Sequence, residues 1–336
     1  MVQASFAKVT ILGAGGMGTA LALLLSRSTS AIRLWARDPD RARAMQESRH
    51  NALHLPGATL PENVLVTSNC HEACDGAELV VAAIPTAFLR STLSSLGVAL
   101  PAQVPALSVV KGIEQGTLSR PSEVITETLG PRPIAVLSGP SHAEEIAKGL
   151  PASVVVASDD ESLNIAIQDA LNGPTFRVYT NSDVLGVELA GAMKNILGIA
   201  AGICDGLGFG DNAKAALLTR GLVEIARFSC EMGAKPSTFW GLAGVGDVIT
   251  TCYSPFGRNR AVGIKIGRGA TLAEAVLGMT DVAEGVTTAK SVHALANARG
   301  VAMPITDEVY RILYEGKPPR AAVTDLMLRL PKVEWP

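Results

Sequence analysis

The stretch VTILGAGGMGTALALLL, residues 9–25, carries the pattern that decides the fold of the N-terminal half. Gly13, Gly15 and Gly18 form a G-x-G-x-x-G pattern between an apolar β-branched run and an apolar helical run. Such glycines permit a tight turn, let a pyrophosphate approach the backbone, and let the helix pack closely on the sheet. A glycine-rich turn can also be merely structural. Here strand, glycines and helix coincide and a second strand follows, so the stretch predicts dinucleotide binding.

Short β-branched runs alternate with helical segments from residue 8 to about residue 180. The runs are KVTILG, AIRLWA, NVLVTS, ELVVAAIP, ALSVVKG, IAVLSGP, ASVVVAS and TFRVYT. Several are apolar at consecutive positions, as strands covered on both faces must be. The alternation predicts an α/β fold: a doubly wound, mostly parallel Rossmann-like sheet with right-handed crossovers.

The pattern changes after Asp183. Apolar residues then recur at three- and four-residue spacing in VLGVELAGAMKNILGIAAGI, NAKAALLTRGLVEIARFSCEMG, TLAEAVLGM, TTAKSVHALANARG and ITDEVYRILYEG, which predicts helices. A chain of 336 residues also exceeds the usual size of one hydrophobic core. We therefore predict a dinucleotide-binding domain over residues 1–182 and an all-helical substrate and catalytic domain over residues 183–336.

Composition restricts the classes of partner and location. The chain is 48% hydrophobic and 18% charged, with a formal net charge of −2, which argues against a general nucleic-acid or anionic-membrane surface. No apolar run in the sequence approaches the roughly 20 residues of a membrane span, and the N-terminus lacks the pattern of a signal peptide. We expect a cytoplasmic protein without stable membrane insertion.

The five cysteines are scattered along the chain. CHEAC places Cys70, His71 and Cys74 close together, but no second ligand pair follows at the spacing of a zinc site. We expect reduced thiols and no metal.

The segment LWARDPD lies where an acidic residue would bind the ribose 2′-hydroxyl of NAD, about 20 residues past the last glycine. Arg37 suits a 2′-phosphate, so NADP(H) is favoured. Asp38 follows directly and keeps NAD(H) open. The alternative for Arg37 is a solvent-exposed loop cation, the usual state of arginine.

Lys194 is the only cation in ELAGAMKNILGIAAGI, residues 188–203, which otherwise predicts a largely buried helix. Burying an unpaired ammonium is unfavourable, so this lysine needs a functional reason. Burial and a neighbouring cation would lower its pKa towards neutrality, where it can donate and accept a proton. Lys111 in SVVKGIE directly follows a buried strand and is a candidate for that neighbour, because ligands of such sheets bind at the carboxyl ends of the strands.

Two further segments carry groups suited to a small anionic ligand. In LSGPSHAEE, Ser141 is either a ligand contact or the N-cap of a helix beginning near His142, and the two roles are compatible. In GLAGVGDVITTCYSPFGRNRAVG, Asp247 precedes an Arg-Asn-Arg run that we interpret as a loop. Guanidinium and amide groups there suit a phosphate, whereas a solvent-facing basic turn is the alternative.

Nine ordered segments resemble the bacterial type of NAD(P)-dependent glycerol-3-phosphate dehydrogenase over nearly the whole chain. They are ILGAGGMGTALA, LWARDP, LPGATLPENV, VVKGIE, LSGPSHAEE, ELAGAMKNILGIAAGICDGLGFGDNAKAAL, GLAGVGDVITTC, GRNRAVG and VAEGVTTA. The resemblance implies reversible reduction of dihydroxyacetone phosphate to sn-glycerol 3-phosphate for glycerophospholipid synthesis. It also implies a helical domain similar to that of 6-phosphogluconate dehydrogenase.

The resemblance implies roles for individual residues. Lys194 would be the proton donor to the ketone, with Lys111 and Asp247 also catalytic. The residues implied to bind substrate are Lys111, Gly139, Ser141, Lys194, Asp247, Gly257, Arg258 and Asn259. Those implied to contact the dinucleotide are Gly16, Met17, Arg37, Lys111, Ala143, Arg258, Val282 and Glu284. The glycine pattern adds Gly13, Gly15 and Gly18 to the predicted cofactor site, and LWARDPD adds Asp38.

Three positions depart from the family pattern. Met17 stands where an aromatic residue is frequent beside the cofactor, and His142 stands where Phe is usual. Gly257 replaces a Ser, so only its backbone N–H would remain for substrate.

Two other classes of protein remain open on the sequence. A β-hydroxyacid or 6-phosphogluconate-type dehydrogenase can also pair a Rossmann domain with a helix-borne lysine, and a non-catalytic NADP-binding sensor would need only the glycine turn. The GRNR and KGIE segments favour the glycerol 3-phosphate enzyme. The family implies a homodimer.

Overall fold

The computed structural model describes residues 6–96, 100–279, 282–331 and 333–334. All eight predicted runs are strands of one sheet, in the order β10-β9-β8-β7-β6-β1-β2-β5. The predicted α/β fold with a doubly wound sheet is confirmed. The strands, including a separate pair β3 and β4, are β1 (Lys8–Leu12), β2 (Ala31–Trp35), β3 (His50–Asn51), β4 (Leu55–Thr59), β5 (Val64–Thr67), β6 (Leu79–Ala82), β7 (Ala106–Ser108), β8 (Ile134–Ser138), β9 (Ala152–Ser158) and β10 (Phe176–Asn181).

Helices cover both faces of this sheet. Strand β6 sends Leu79 and Val81 into one hydrophobic cluster and Val80 and Ala82 into another, because successive side chains of a strand point to opposite faces. Consecutive apolar residues are therefore needed on the central strands. The helices of this region are α1 (Gly16–Leu25), α2 (Pro39–Ser48), α3 (Cys70–Cys74), α4 (Thr86–Leu96), α5 (Pro121–Leu129), α6 (Ala143–Ala147) and α7 (Glu161–Leu171).

The sheet is parallel except between β8 and β9, which pair antiparallel. Parallel neighbours need a long crossover, usually through a helix. The connection from β8 to β9 contains only the five-residue helix α6, and the chain returns along the neighbouring strand in the opposite direction. Strand β10 then pairs parallel with β9.

Every regular element described after β10 is helical, as predicted. The α-helices are α8 (Val184–Gly206), α9 (Asp211–Glu231), α10 (Asp247–Tyr253), α11 (Arg258–Gly267), α12 (Leu272–Val276), α13 (Glu284–Arg299), α14 (Pro304–Tyr314) and α15 (Pro319–Met327). A 3₁₀ turn, Pro236–Trp240, and a π-helical turn, Leu242–Gly246, lead into α10. The division of the chain at residue 182 stays a prediction.

Helix α8 lies at the centre of the helical region and packs against α11 at very short range. A Cβ on Gly202 would come 2.1 Å from the carbonyl oxygen of Arg260, and one on Gly263 would come 2.1 Å from that of Ile199. Helix α8 is longer than the apolar runs noted in the sequence: it is long and apolar enough to cross a membrane, but 89% of its most apolar window is buried within the protein.

Two local expectations were incomplete or wrong. The β3–β4 pair was not predicted, because Pro56 and Gly57 disfavour a strand. The Arg-Asn-Arg run is not a loop, since Arg258 and Asn259 begin α11. The preceding Pro255 and Gly257 resemble a loop, but Gly257 is the N-cap of α11.

Candidate active site

The glycine turn joins β1 to α1. Gly13 has φ +115°, and a Cβ there would lie 2.5 Å from the carbonyl oxygen of Ala83 at the end of β6. A Cβ on Gly18 would lie 1.9 Å from the carbonyl oxygen of Gly13. At Gly15 nothing lies within 4 Å of such an atom. Gly13 and Gly18 therefore permit close packing of the turn against β6 and α1, whereas Gly15 leaves open space before α1.

That space suits a pyrophosphate. Gly15 is the N-cap of α1 and provides no side-chain hydrogen bond to the first turn, which contains no acidic residue. The first backbone N–H groups of α1, including those of Gly16 and Met17, lack intrahelical acceptors, and their partial positive charge favours an anion. Ala143 begins α6 beside the turn, 3.5 Å from where a Cβ on Gly16 would lie. These residues fit a dinucleotide.

Arg37 and Asp38 follow β2 and differ in their contacts. Arg37 is exposed, with its guanidinium carbon 5.9 Å from the centre of the Phe88 ring. Asp38 is the N-cap of α2 and accepts a hydrogen bond from the Arg41 backbone N–H at 3.0 Å. The carboxylate therefore stabilises the helix, whereas the guanidinium faces solvent.

A charged centre is formed by three side chains from separate elements. Lys111 follows β7, Lys194 lies on α8, and Asp247 begins α10. Lys194 Nζ lies 2.5 Å from Asp247 Oδ1, and Lys111 Nζ lies 2.8 Å from Asp247 Oδ2. Asp247 is 1% exposed and Lys194 8% exposed. One carboxylate thus holds two ammonium groups at the carboxyl ends of the parallel strands.

The environment changes the proton affinities of these groups. Burial, with added repulsion from Lys111, lowers the pKa of Lys194 to about 8, although Asp247 acts in the opposite direction. Burial alone would raise the pKa of Asp247, but the two lysines hold it below its ordinary value. Lys194 can therefore exchange a proton near neutral pH, where the lowered pKa of Asp247 keeps its carboxylate ionised.

Residues that the sequence did not single out complete this centre. Lys194 Nζ donates to Thr251 Oγ1 at 2.8 Å, and the Asn195 amide donates to the Lys111 carbonyl at 3.0 Å. Thr251 lies four residues after Asp247 on one helix, which places both on the same face. Asn195 is the neighbour of Lys194 in the chain. These positions in the sequence could have pointed to Thr251 and Asn195, but the sequence does not show which groups they contact.

The turn after β8 supports the centre through its backbone. The Gly139 N–H points to Asp247 Oδ2 at 3.3 Å, and its carbonyl oxygen accepts from Lys111 Nζ at 3.2 Å and from Ser141 Oγ at 2.8 Å. The N-cap of α6 is His142, without a side-chain hydrogen bond, so the interpretation of Ser141 as N-cap was wrong. The first turn of α6 contains two acidic residues, Glu144 and Glu145.

The start of α11 contributes an exposed cation and a structural amide. Arg258 is exposed. Asn259 is buried; its amide donates to Asn195 Oδ1 at 2.9 Å, and its oxygen accepts from the Gly285 N–H at 2.9 Å. The backbone N–H of Gly257 donates to the Ser254 carbonyl at 3.3 Å, so it is already engaged rather than left for substrate as expected.

Glu284 begins α13 and contacts the first residue of α4. Its carboxylate accepts from the backbone N–H and the hydroxyl of Thr86 at 2.9 and 3.0 Å. Burial raises its pKa, partly offset by Thr86 and the charges of Arg258 and Lys111. Val282 lies two residues before Glu284 and is partly buried. Glu284 therefore lies within electrostatic range of Lys111, and Val282 precedes it on the segment entering α13.

For the cysteines, the sequence predicts reduced thiols and no metal site. All five cysteines are free thiols. Within the described part of the chain, no three His, Cys, Asp or Glu side chains come together as a metal site would require.

Comparison with known proteins places the chain in a family. Sequence models described as NAD-dependent glycerol-3-phosphate dehydrogenase N-terminus and C-terminus match residues 8–164 and 183–324. The glycerol-3-phosphate dehydrogenase [NAD(P)+] of Chlorobium phaeobacteroides is 46% identical over 97% of this chain and 99% of its own length. That of Geobacillus thermodenitrificans is 47% identical over 97% and 96%.

A solved structure agrees with these matches. The crystal structure of glycerol-3-phosphate dehydrogenase from Coxiella burnetii superposes with a TM-score of 0.92 at 38% identity, and the match covers 97% of this chain and 100% of that one. The chain belongs to the NAD-dependent glycerol-3-phosphate dehydrogenase family.

Proposed function

We propose that this chain catalyses the reversible NAD(P)H-dependent reduction of dihydroxyacetone phosphate to sn-glycerol 3-phosphate, for glycerophospholipid synthesis. Family membership supports the activity. The observation that carries the mechanism is the pair of contacts from Asp247 to Lys194 and Lys111. This arrangement stands at the strand ends, next to an anion-binding turn.

Lys194 is the proposed proton donor. Bound NAD(P)H supplies the hydride, and negative charge then develops on the substrate oxygen. The Lys194 ammonium stabilises that charge and donates its proton; in the reverse direction the neutral amine accepts the proton. Its pKa of about 8 allows both forms near neutral pH.

Asp247 and Lys111 are the proposed partners in catalysis. Asp247 orients both ammonium groups, and Lys111 lowers the proton affinity of Lys194. Thr251 accepts one further Lys194 hydrogen bond and so limits the directions in which the remaining proton points.

Arg258 is the proposed phosphate ligand, because it is an exposed guanidinium at the N-terminus of α11. Gly139, Ser141, Gly257 and Asn259 remain proposed substrate residues. Because the Gly257 N–H and both groups of the Asn259 amide already have protein partners, these two residues are proposed to shape the site rather than to hydrogen-bond the substrate. The proposed dinucleotide contacts are those implied by the family resemblance.

The finer properties rest on separate observations. NADP(H) preference is supported by exposed Arg37 and by the capping role of Asp38. A cytoplasmic location is supported by free thiols, which suit a reducing compartment. Absence of membrane insertion is supported by the burial of α8.

A homodimer is supported by exposed Ile249 and Tyr253, one turn apart on α10. Light scattering of the purified chain tests this oligomeric state.

The activity is tested by following NADPH and NADH oxidation with dihydroxyacetone phosphate. Matched reactions contain 2-oxo and 3-oxo acids instead, which are substrates expected of the β-hydroxyacid class. Turnover of dihydroxyacetone phosphate alone supports the proposal. Turnover of an oxo acid alone, or tight cofactor binding without turnover of any ketone, contradicts it.

A further inference from the structure

His142 carries a buried polar atom that the proposed mechanism does not use. Its Nε2 is buried and has no hydrogen-bond partner among the described residues. An unpaired buried polar atom destabilises a folded protein. Such an atom beside a catalytic centre is a candidate ligand contact.

The imidazole lies beside both parts of the proposed substrate site. Its ring centre is 5.9 Å from that of Phe256, two residues before Arg258. The charged groups acting on it are Lys194, Lys111, Asp247 and Glu144. The ring is therefore near the centre that would receive the ketone and near the helix end that would receive the phosphate.

The surroundings of His142 favour its neutral form. Burial, together with the positive charges of Lys194 and Lys111, lowers its pKa below the ordinary value, although Glu144 and Asp247 oppose this. A neutral imidazole has one donor and one acceptor nitrogen. It therefore suits an uncharged group better than a phosphate.

We propose that His142 Nε2 forms a hydrogen bond with the free hydroxyl of the bound triose phosphate and thereby selects substrates that carry it. The inference rests on the proposed function, which supplies the substrate. In that substrate the ketone faces Lys194 and the phosphate faces Arg258, so the hydroxyl is the remaining polar group. An alcohol can donate or accept and fits either tautomer of the imidazole.

The test compares two substrates and three variants. Hydroxyacetone phosphate has a methyl group where dihydroxyacetone phosphate has the hydroxymethyl group. His142→Phe keeps a ring without the hydrogen bond, and His142→Gln places an amide near the Nε2 position. His71→Phe, at an exposed position of α3, is the matched control. Circular dichroism and thermal unfolding establish that each variant is folded.

We expect His142→Phe to raise KM for dihydroxyacetone phosphate about 2- to 13-fold, the loss of one neutral hydrogen bond. Its kcat, and its KM for hydroxyacetone phosphate, should change less than about twofold, since neither depends on that bond. His142→Gln should restore most of the lost affinity. A merely structural role would not distinguish the two substrates.

Three results would overturn the role of His142. One is an equal KM change for both substrates, and another is no change for either. The third is weaker NADPH binding, measured by fluorescence titration without substrate, as the sole effect, which would place the ring against the cofactor. Failure of the wild type to turn over dihydroxyacetone phosphate would instead overturn the proposed function.

Discussion

The glycine turn and the charged centre lie at the same edge of the sheet but are built in opposite ways. The turn is made of backbone from one contiguous segment, and its key feature is space, as at Gly15. The centre is made of side chains separated by up to 136 positions in the chain, and its key feature is charge, as at Asp247. A binding surface for an anion can be local, whereas a lysine with a lowered pKa requires burial that several elements provide together.

Replacing Lys194, the proposed proton donor of the charged centre, should have the largest effect on activity. We expect Lys194→Ala to lower kcat for dihydroxyacetone phosphate reduction about 10²- to 10⁴-fold, the usual contribution of positioned proton transfer. NADPH affinity, measured by fluorescence titration, should remain, because the glycine turn is untouched. A variant with near-wild-type kcat would show that another group supplies the proton.

Removing the carboxylate should change the pH dependence of the centre. Reduction needs protonated Lys194, so its kcat should fall as pH rises through about 8; oxidation should rise over the same range. Asp247 raises the pKa of Lys194, so Asp247→Asn should move both midpoints to lower pH. A pH profile of each direction checks this, provided that chemistry limits the rate. Unmoved midpoints would mean that Lys194 is not the titrating group.

Two alanine substitutions distinguish a glycine needed for close packing from a glycine that leaves room for the cofactor. Gly18→Ala places a methyl group 1.9 Å from the Gly13 carbonyl oxygen, and we expect a loss of about 1–3 kcal/mol in the free energy of unfolding. Gly15→Ala meets nothing within 4 Å, so stability should hold while NADPH binding weakens. Urea unfolding and fluorescence titration measure the two properties. Equal destabilisation by both variants would contradict the division of roles.

The smallest effects are expected from substitutions of Arg37 and Asp38, which follow β2. Asp38→Ala should cost about 1 kcal/mol of stability, the value of an N-cap, with little change in cofactor choice. Arg37→Ala should leave stability unchanged and raise KM for NADPH about tenfold, a charge-assisted phosphate contact of roughly 1.5 kcal/mol, without changing KM for NADH. If Arg37→Ala affects both cofactors equally, the 2′-phosphate contact is wrong.

The fold was largely predictable because its signals are periodic and local. Consecutive apolar runs such as LVVA in β6 are required by a sheet covered on both faces, and the spacing in α8 is helical. The failures had local causes. Pro56 and Gly57 concealed β4, and the flanking Gly and Pro made the start of α11 resemble a loop.

The site was predictable only in part. Lys194 attracted attention because a cation in an apolar helix needs compensation, and its neighbours along the chain and on one helix face were within reach of the same reasoning. The engaged N–H of Gly257 and the buried Nε2 of His142 were not. Each depends on which atom lies opposite, and a sequence does not state that.

By itself, the sequence determined the alternation of strands and helices, the position of the dinucleotide turn and the need to compensate Lys194. Residue types and their spacing act over one or two turns of chain, which is sufficient for these features. Only the tertiary structure decided that Asp247 joins Lys194 to Lys111 and that burial lowers the pKa of Lys194 to about 8. Coulombic and desolvation energies depend on distances in space and on the exclusion of water, which arise only when β7, α8 and α10 meet.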